Sequence, residues 1–175
     1  MNTRSTNQSG WTLLELMVVI VIIGLFASIL LVNLTVARNK ARDANRIEEI
    51  QQVQKVLEIY FLSYGKYPDG DGDGCGNWDI GNTTYPFLNV PGMNTFFGNG
   101  PAPVDTWQTS NCDGFMYYRY PPGSYGCPVS RGAFYVLGIP DTQSTGNPYP
   151  GSPGWSCPGR DWQTEFDWVT GSFEH

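Results

Sequence analysis

Three aspartates at alternate positions are the side chains of this sequence best suited to hold a metal ion. The stretch DGDGDGCGNWDI places Asp69, Asp71 and Asp73 two residues apart and follows them with Gly74. This is the D-x-D-x-D-G opening of a calcium loop, in which carboxylate oxygens converge on the cation and glycine permits a sharp turn. The spacing therefore predicts a Ca2+ site in this loop.

The remaining ligands of such a loop are only partly present. The backbone carbonyl of Cys75 and the side chain of Asn77 fall at ligand positions, but Ile80 stands where a bidentate acid is needed. Asp79, one residue earlier, is the acid that we expect to substitute for it. The alternative is an acidic turn whose like charges repel one another and keep it in solvent without a metal.

A further carboxylate, Glu15, stands at the start of the longest apolar stretch. Residues 16–37 carry no charge, and as a helix they would extend about 33 Å, enough to cross a bilayer. An isolated carboxylate in such surroundings is costly, and no basic residue lies within a turn or two of Glu15. Cleavage after Gly10 would create an amino group on Trp11, which could pair with Glu15 on the same chain or on a neighbour.

The stretch GWTLLELMVVIVIIG resembles the class III signal of type IV pilins and type II secretion pseudopilins. The positions that match the family are Gly10, Thr12, Leu13 and Glu15. The resemblance implies that prepilin peptidase removes residues 1–10 as a leader and that the new terminus at Trp11 is N-methylated. It also implies a single-pass precursor in the cytoplasmic membrane that later enters an extracellular or periplasmic filament at the cell surface.

The resemblance further implies self-assembly into a helical homopolymer, in which Glu15 pairs with the N-terminal amine of a neighbouring subunit. An inner-membrane assembly platform and its ATPase would extract the subunits from the membrane. We therefore expect a structural subunit of a type IV pilus or pseudopilus. The alternative is a minor or tip pilin whose head binds a surface, a glycan or a protein.

An enzyme is not expected, because His175 is the only histidine and the sequence has no G-x-S-x-G motif and no obvious acid–base pair.

Four cysteines lie beyond the apolar stretch and form no C-x-x-C pair. An even number of cysteines in a Gly- and Pro-rich region after a membrane segment predicts two disulfides and an extracytoplasmic location. Three pairings remain open, and four buried free thiols are the alternative. The candidates are Cys75, Cys112, Cys127 and Cys157.

Charge is distributed unevenly along the chain, whose net charge is −6. From Lys66 onward there are four Lys or Arg against eleven Asp or Glu, and this acidic balance argues against nucleic acid as a partner. Residues 38–46 carry four bases against one acid, directly after the apolar stretch. With the leader in the cytoplasm these bases would lie outside, contrary to the positive-inside rule.

An α+β fold with a long N-terminal helix must position these residues. We expect one helix over residues 12–64, ended by Gly65 and Pro68. Residues 11–37 of it would span the membrane or form the filament core, and residues 38–65 would be amphipathic. The apolar face of this second part is predicted to comprise Ile47, Ile50, Val53, Leu57, Tyr60, Phe61 and Tyr64, with Arg46, Glu49, Lys55 and Glu58 mostly on the other face.

Residues 66–175 are expected to form a loop-rich head in which a small antiparallel sheet packs on the helix, as the resemblance implies. Runs of aromatic and β-branched residues predict strands over 115–120 and 133–139 and a third within 164–171. The tryptophans near the end, Trp155, Trp162 and Trp168, are expected to pack under loops rather than to form a binding surface.

Overall fold

The structure is a computed structural model that describes residues 10–72 and 75–175, without the side chains of residues 29–33. The predicted leader, apart from Gly10, and the predicted ligand Asp73 lie outside the described residues. The chain divides into two compact units, residues 1–39 and residues 40–175. Each unit is described by itself below.

A single α-helix, α1 (Leu13–Tyr64), accounts for most of the first 65 residues. It begins one residue later than predicted, because Thr12 caps the helix instead of joining it. It ends at Gly65, whose φ of +71° suits the left-handed cap and whose N–H donates to the carbonyl of Phe61 at 2.7 Å. Among the described residues, no helix combines the length and the apolar content needed to cross a membrane.

The strands of the second unit are β1 (Asp79–Gly81), β2 (Phe115–Tyr120), β3 (Phe134–Ile139), β4 (Ser156–Cys157), β5 (Arg160–Asp161) and β6 (Trp168–Phe173). Four of them form an antiparallel sheet with strand order β1-β2-β3-β6. Strands β4 and β5 form a separate hairpin. The first two predicted strands are confirmed as β2 and β3, and the third is confirmed in part as β6, which ends at Phe173 instead of residue 171. Strand β1 and the hairpin were not predicted.

One hydrophobic core lies between the helix and the sheet. Ile50, Val53 and Leu57 of α1 are fully buried and belong to the same cluster as Tyr117 of β2 and Leu137 of β3. This confirms the centre of the predicted apolar face, but two of its edges were predicted wrongly. Arg46, expected on the polar face, is only 5% exposed, and Tyr64, expected on the apolar face, is 58% exposed.

A second hydrophobic core covers the opposite face of the sheet. Successive residues of β3 alternate between the two cores, so that Phe134 and Val136 face the second one and every residue of β3 is buried. The cover comes from the segment before β6, which contributes Trp162 and Phe166. The tryptophan prediction is confirmed, since Trp162 and Trp168 are buried and Trp155 is half-buried.

Glycines in the strands make room for the aromatic rings of this cover. A Cβ on Gly171 of β6 would stand 2.5 Å from the ring of Trp155, and a Cβ on Gly138 of β3 would stand 2.7 Å from the ring of Phe166. Neither distance is compatible with a side chain larger than hydrogen. The two positions therefore allow the covering segment to lie flat on the sheet.

Two disulfides tie the loops of the second unit, as predicted. Cys75 pairs with Cys112, and Cys127 pairs with Cys157, so that no cysteine remains free. The first bond joins the segment after the acidic loop to the loop before β2. The second joins the loop after β2 to β4 and thereby fixes the cover of the second core.

Candidate assembly site and acidic loop

Thr12 and Glu15 form a reciprocal cap at the start of α1. The backbone N–H and the hydroxyl of Thr12 donate to Oε2 of Glu15 at 3.0 and 2.9 Å. The backbone N–H of Glu15 donates to the Thr12 hydroxyl oxygen at 3.2 Å. This is a capping box, which satisfies backbone donors that the first helical turn leaves free. Glu15 therefore has hydrogen-bond partners on its own chain without any basic residue.

The predicted cleavage position precedes the helix and is open to solvent. Gly10 and Trp11 lie before the first helical residue, and the Trp11 side chain is 79% exposed. No heavy atom of the described structure would lie within 4 Å of a Cβ on Gly10. Both residues flanking the Gly10–Trp11 bond are therefore exposed and lie outside the helix.

The described apolar side chains near the start of the first unit are exposed. The large hydrophobic residues between positions 13 and 26 are each 40–75% exposed. Exposed apolar surface of this extent marks a surface for interaction with lipid or with other proteins.

The acidic loop brings Asp69 into contact with two bases. The carboxylate of Asp69 accepts from Lys66 Nζ at 3.1 Å and from Arg119 Nη1 at 2.9 Å. Burial raises the pKa of Asp69, but the hydrogen bonds and charges of Lys66 and Arg119 outweigh it and hold this pKa below its ordinary value. Arg119 also forms a two-bonded ion pair with Glu174 at 2.8 and 3.0 Å.

Asp79 lies on β1, and its carboxylate is fully buried. It accepts from the backbone N–H of Leu88 at 3.0 Å and from that of Asp71 at 3.4 Å. Cys75 and Asn77 bound a short 3-10 turn, in which Cys75 is held by its disulfide. The backbone of Asp71 therefore lies next to the Asp79 carboxylate.

The described residues do not by themselves form a metal centre. Within residues 10–72 and 75–175 no group of three or more His, Cys, Asp or Glu side chains is arranged to hold a metal ion. A cleft of about 300 Å3 borders the loop, but Arg119 lines it together with Asp69 and Asn77. Since Asp73 is not described, calcium binding stays a prediction.

A buried charge network around Arg46 was not predicted from the sequence. The Arg46 guanidinium donates to both oxygens of the Asp105 carboxylate at 2.6 to 3.0 Å, and Asp105 is fully buried. Its Nη1 also donates to Asp43 at 3.4 Å and to the carbonyl of Asp141 at 2.9 Å. Burial raises the pKa of Asp105, and the adjacent Arg46 opposes this rise. The network attaches the start of the second unit's helical segment to two loops of the head.

A second polar contact attaches the helix to the sheet near its other end. The Glu58 carboxylate accepts from the hydroxyl of Tyr67 at 3.0 and 3.2 Å and from that of Tyr135, on β3, at 3.2 Å. Burial is the main reason why the pKa of each tyrosine lies above its ordinary value. Both hydroxyls therefore act as donors throughout the physiological pH range.

Comparison with known proteins identifies the class to which these features belong. The family described as "Prokaryotic N-terminal methylation motif" matches residues 5–31. The type II secretion system core protein G of Dickeya chrysanthemi is 31% identical over 135 residues, which cover 77% of this chain and 82% of that protein. The chain belongs to the type IV pilin and type II secretion pseudopilin family.

Other relatives match this pilin-family chain over a shorter region. The core protein G of Aeromonas hydrophila is 43% identical over 65 residues, covering 37% of this chain and 46% of the relative. The type IV wide pilus major component PilA4 of Thermus thermophilus is 36% identical over 61 residues, covering 35% of this chain and 47% of the relative. The pilin-family chain thus spans about half the length of these relatives. No solved structure matches it.

Proposed function

We propose that this chain is a structural subunit of a type IV pilus or of a type II secretion-like pseudopilus. The observation that carries the proposal is the uncovered apolar helix of the first unit, which follows a methylation motif and precedes a disulfide-tied head. Such a helix needs apolar surroundings at every stage, and neighbouring copies of the same helix can provide them in a polymer.

Residues 16–37 anchor the precursor in the cytoplasmic membrane, since they carry no charge and suffice in length for a bilayer core. Prepilin peptidase cuts between Gly10 and Trp11, and the new terminus is N-methylated. An assembly platform with its ATPase then moves the subunit from lipid to filament, where the same side chains contact other subunits. The head takes no part in catalysis in this scheme.

Glu15 changes its hydrogen-bond partners during this transfer. In the precursor its carboxylate binds the N–H and hydroxyl of Thr12. Cleavage places an ammonium group on Trp11, and in the filament Glu15 pairs with the ammonium of a neighbouring subunit. The charge of the carboxylate matters only for this second contact, because a neutral amide can also accept the hydrogen bonds of a capping box.

A glutamine at position 15 separates the two roles of the residue. Glu15→Gln retains an acceptor for Thr12 but has no charge to attract an ammonium group, so we expect normal folding, cleavage and membrane attachment with little or no filament. Filaments would be assayed by shearing, electron microscopy and peptide identification, and processing by N-terminal mass spectrometry. Thr12→Ser, which keeps the hydroxyl, is the matched control and should assemble. Normal filaments from Glu15→Gln would show that the pairing is not required.

The same preparation tests the processing step and the alternative role as a minor or tip subunit. Gly10→Leu should leave residues 1–10 attached, and clean cleavage of this variant would contradict the proposed site. A structural major subunit dominates the sheared material, whereas a minor or tip subunit would be a small fraction of it.

We also propose that the acidic loop binds Ca2+ through Asp71 and Asp73, with Asp79 as a further ligand. The D-x-D-x-D-G pattern supports this, as does the contact of the Asp71 backbone with Asp79. Removal of calcium with a chelator should then lower the melting temperature of the native chain but not that of Asp71→Ala. Equal melting temperatures with and without chelator would contradict calcium binding.

A further inference from the structure

Three basic residues that directly follow the apolar stretch remain in solvent. Arg38, Lys40 and Arg42 are exposed. The nearest acid in the sequence, Asp43, is 0% exposed, and the fourth base, Arg46, is 5% exposed. The fold therefore buries the acid Asp43 together with one base, Arg46. The other three bases stay exposed without an exposed acid between them.

The buried acid cannot neutralise the exposed bases. The two oxygens of Asp43 accept from the backbone N–H groups of Gln143 and Ser144 at 3.0 and 2.7 Å. Oδ1 of Asp43 also accepts from Arg46 at 3.4 Å. All of these contacts point into the head.

The three exposed bases form no ion pair with any described residue. The Arg42 side chain makes a single long hydrogen bond, from Nη1 to the Gln143 side chain at 3.4 Å. In a chain with a net charge of −6, such a local excess of positive charge indicates a surface for an anionic partner.

We propose that Arg38, Lys40 and Arg42 form a basic collar that binds the phosphate groups of anionic phospholipids. This inference rests on the proposed membrane anchoring of residues 16–37. The collar begins at the first residue after that stretch, and its last member lies only about 6 Å further along the helix axis. That span is comparable to the depth of one headgroup layer, about 5–7 Å, and the long side chains can reach back toward the phosphates.

The angular positions of Lys40 and Arg42 suit a lipid surface. At 100° per residue, these two residues of the second unit lie about 160° apart around α1. A flat partner could contact only one of these sides, whereas the headgroups around a membrane helix contact all of them. Continuity with the apolar stretch thus favours lipid over the acidic head of a second copy as the occupant.

The collar also accounts for basic residues on the side that the positive-inside rule disfavours. The bases hold the precursor at the outer headgroup layer until assembly, and transfer into the filament breaks these contacts. The preference for anionic lipid should fall by about fivefold for each base that is neutralised near the membrane.

The test uses the full chain reconstituted in bilayers of equal parts phosphatidylglycerol and phosphatidylcholine. Native mass spectrometry of the released protein counts the lipids of each kind that stay bound. We expect the native chain to retain phosphatidylglycerol preferentially, about fivefold less so in Lys40→Gln, and without preference in R38Q/K40Q/R42Q. Lys55→Gln, which removes an exposed base from the same helix at a greater distance, is the matched control and should keep the full preference.

Two results would overturn the proposal. One is equal retention of both lipids by the native chain, and the other is an undiminished preference in the triple variant. If that variant also no longer polymerises, the collar is assigned instead to the acidic head of a second copy. Failure of the native chain to float with vesicles of either lipid would instead refute the membrane anchoring on which the collar rests.

Discussion

The guanidinium of Arg46 is held between two fully buried carboxylates, those of Asp43 and Asp105. Arg46→Ala would leave both acids without their cation, and loss of one partner of a buried ion pair costs about 3–5 kcal/mol. We expect a loss of this size in the free energy of unfolding, measured by urea titration of the detergent-solubilised chain. Arg42→Ala, on the exposed side of the same helix, should change it by less than about 0.5 kcal/mol.

A second variant shows whether Arg46→Ala loses stability because a charge is missing or because side-chain volume is missing. R46M/D105L removes both members of the closest pair and fills the space with apolar atoms, which for other buried pairs is neutral or stabilising. It should therefore be more stable than Arg46→Ala. If the double variant is no more stable, packing rather than charge compensation explains the effect of Arg46→Ala.

Glu174 makes the head sensitive to acid. Burial raises the pKa of Glu174, but hydrogen bonds from Arg119 and from the N–H of Tyr67 outweigh it, and this pKa lies below its ordinary value of 4.5. A depressed pKa stabilises the fold above the unfolded-state value, and this contribution is lost as the pH falls through the folded-state value. The native chain should thus exceed Glu174→Gln in stability at pH 6, and the difference should shrink below pH 4.5.

The measurement is the melting temperature of both chains between about pH 6 and pH 3. Glu48→Gln is a suitable control, since Glu48 is exposed on α1 and forms no ion pair with the described residues. A difference between native and Glu174→Gln that stays constant across this range would contradict the role of the Arg119–Glu174 pair.

At the scale of single residues, the spacing of Arg46 in the sequence indicates that it is buried, but its charge suggests the opposite. Asp43, Arg46, Ile50, Val53 and Leu57 recur at spacings of three and four, and all of them are buried. Charged residues are rarely buried unless they are paired, so the residue type predicts Arg46 on the polar face. The partner Asp105 is 59 residues away in sequence, and no local pattern could indicate it. The Thr12–Glu15 cap, in contrast, joins residues only three positions apart, and the T-x-x-E pattern of the sequence indicates it directly.

Among the larger elements, the cover of the second core depends on the Cys127–Cys157 disulfide. Replacing both cysteines by alanine should lower the free energy of unfolding by about 2–4 kcal/mol, because the unfolded chain regains the freedom of the closed loop. Amide hydrogen exchange should also become faster in β4 and β5 than in β2 and β3. Faster exchange shows that the cover opens locally while the sheet stays folded.

The other disulfide provides the matched control. Cys75 and Cys112 are separated by 37 residues, against 30 for Cys127 and Cys157, so their removal should cost a similar free energy. Exchange in β4 and β5 should nevertheless remain slow in that variant. Equal acceleration in both variants would mean that the second bond does not specifically fix the cover.

The elements that could be predicted were those with a local pattern. Helix α1 and strands β2 and β3 follow from runs with period 3.6 and from aromatic and β-branched stretches. Strand β1 is the tripeptide Asp-Ile-Gly, and β4 and β5 have two residues each, which is too short for any periodicity. The second core was not predicted, because it depends on which loop folds over which face of the sheet, and composition does not encode that choice.

For the whole molecule, all residues of both hydrophobic cores lie in the second unit, residues 40–175. A fragment of residues 40–175 should therefore fold alone in water and unfold cooperatively, within a few degrees of the head of the detergent-solubilised full chain. Differential scanning calorimetry of the two samples is the measurement. A fragment of residues 48–175 is the matched comparison, because it lacks only the first turns, with Asp43 and Arg46.

The shorter fragment should melt at a clearly lower temperature, since Asp105 loses its cation and the backbone N–H groups of Gln143 and Ser144 lose their acceptor. If the two fragments melt alike, the network around Arg46 contributes nothing to the stability of the head. If the 40–175 fragment is unfolded, the division of the chain into two units does not describe independent folding.

Relatives resemble this chain more closely over short alignments than over long ones. Identity is 43% over 65 residues with the Aeromonas hydrophila protein and 31% over 135 residues with the Dickeya chrysanthemi protein. The stretch GWTLLELMVVIVIIG carried the family prediction, which is confirmed. The pairing of the four cysteines and the division of the apolar residues between two cores required the structure.

The contacts of Arg46 and of Glu58 lie near opposite ends of one helical segment, about 18 Å apart along its axis. Tension applied along α1 would reach the head at both points together, because neither contact can lengthen without straining the other. The segment would then be loaded in shear instead of being peeled away one turn at a time. A subunit built in this way can bear a mechanical pull along α1 while its sheet stays folded.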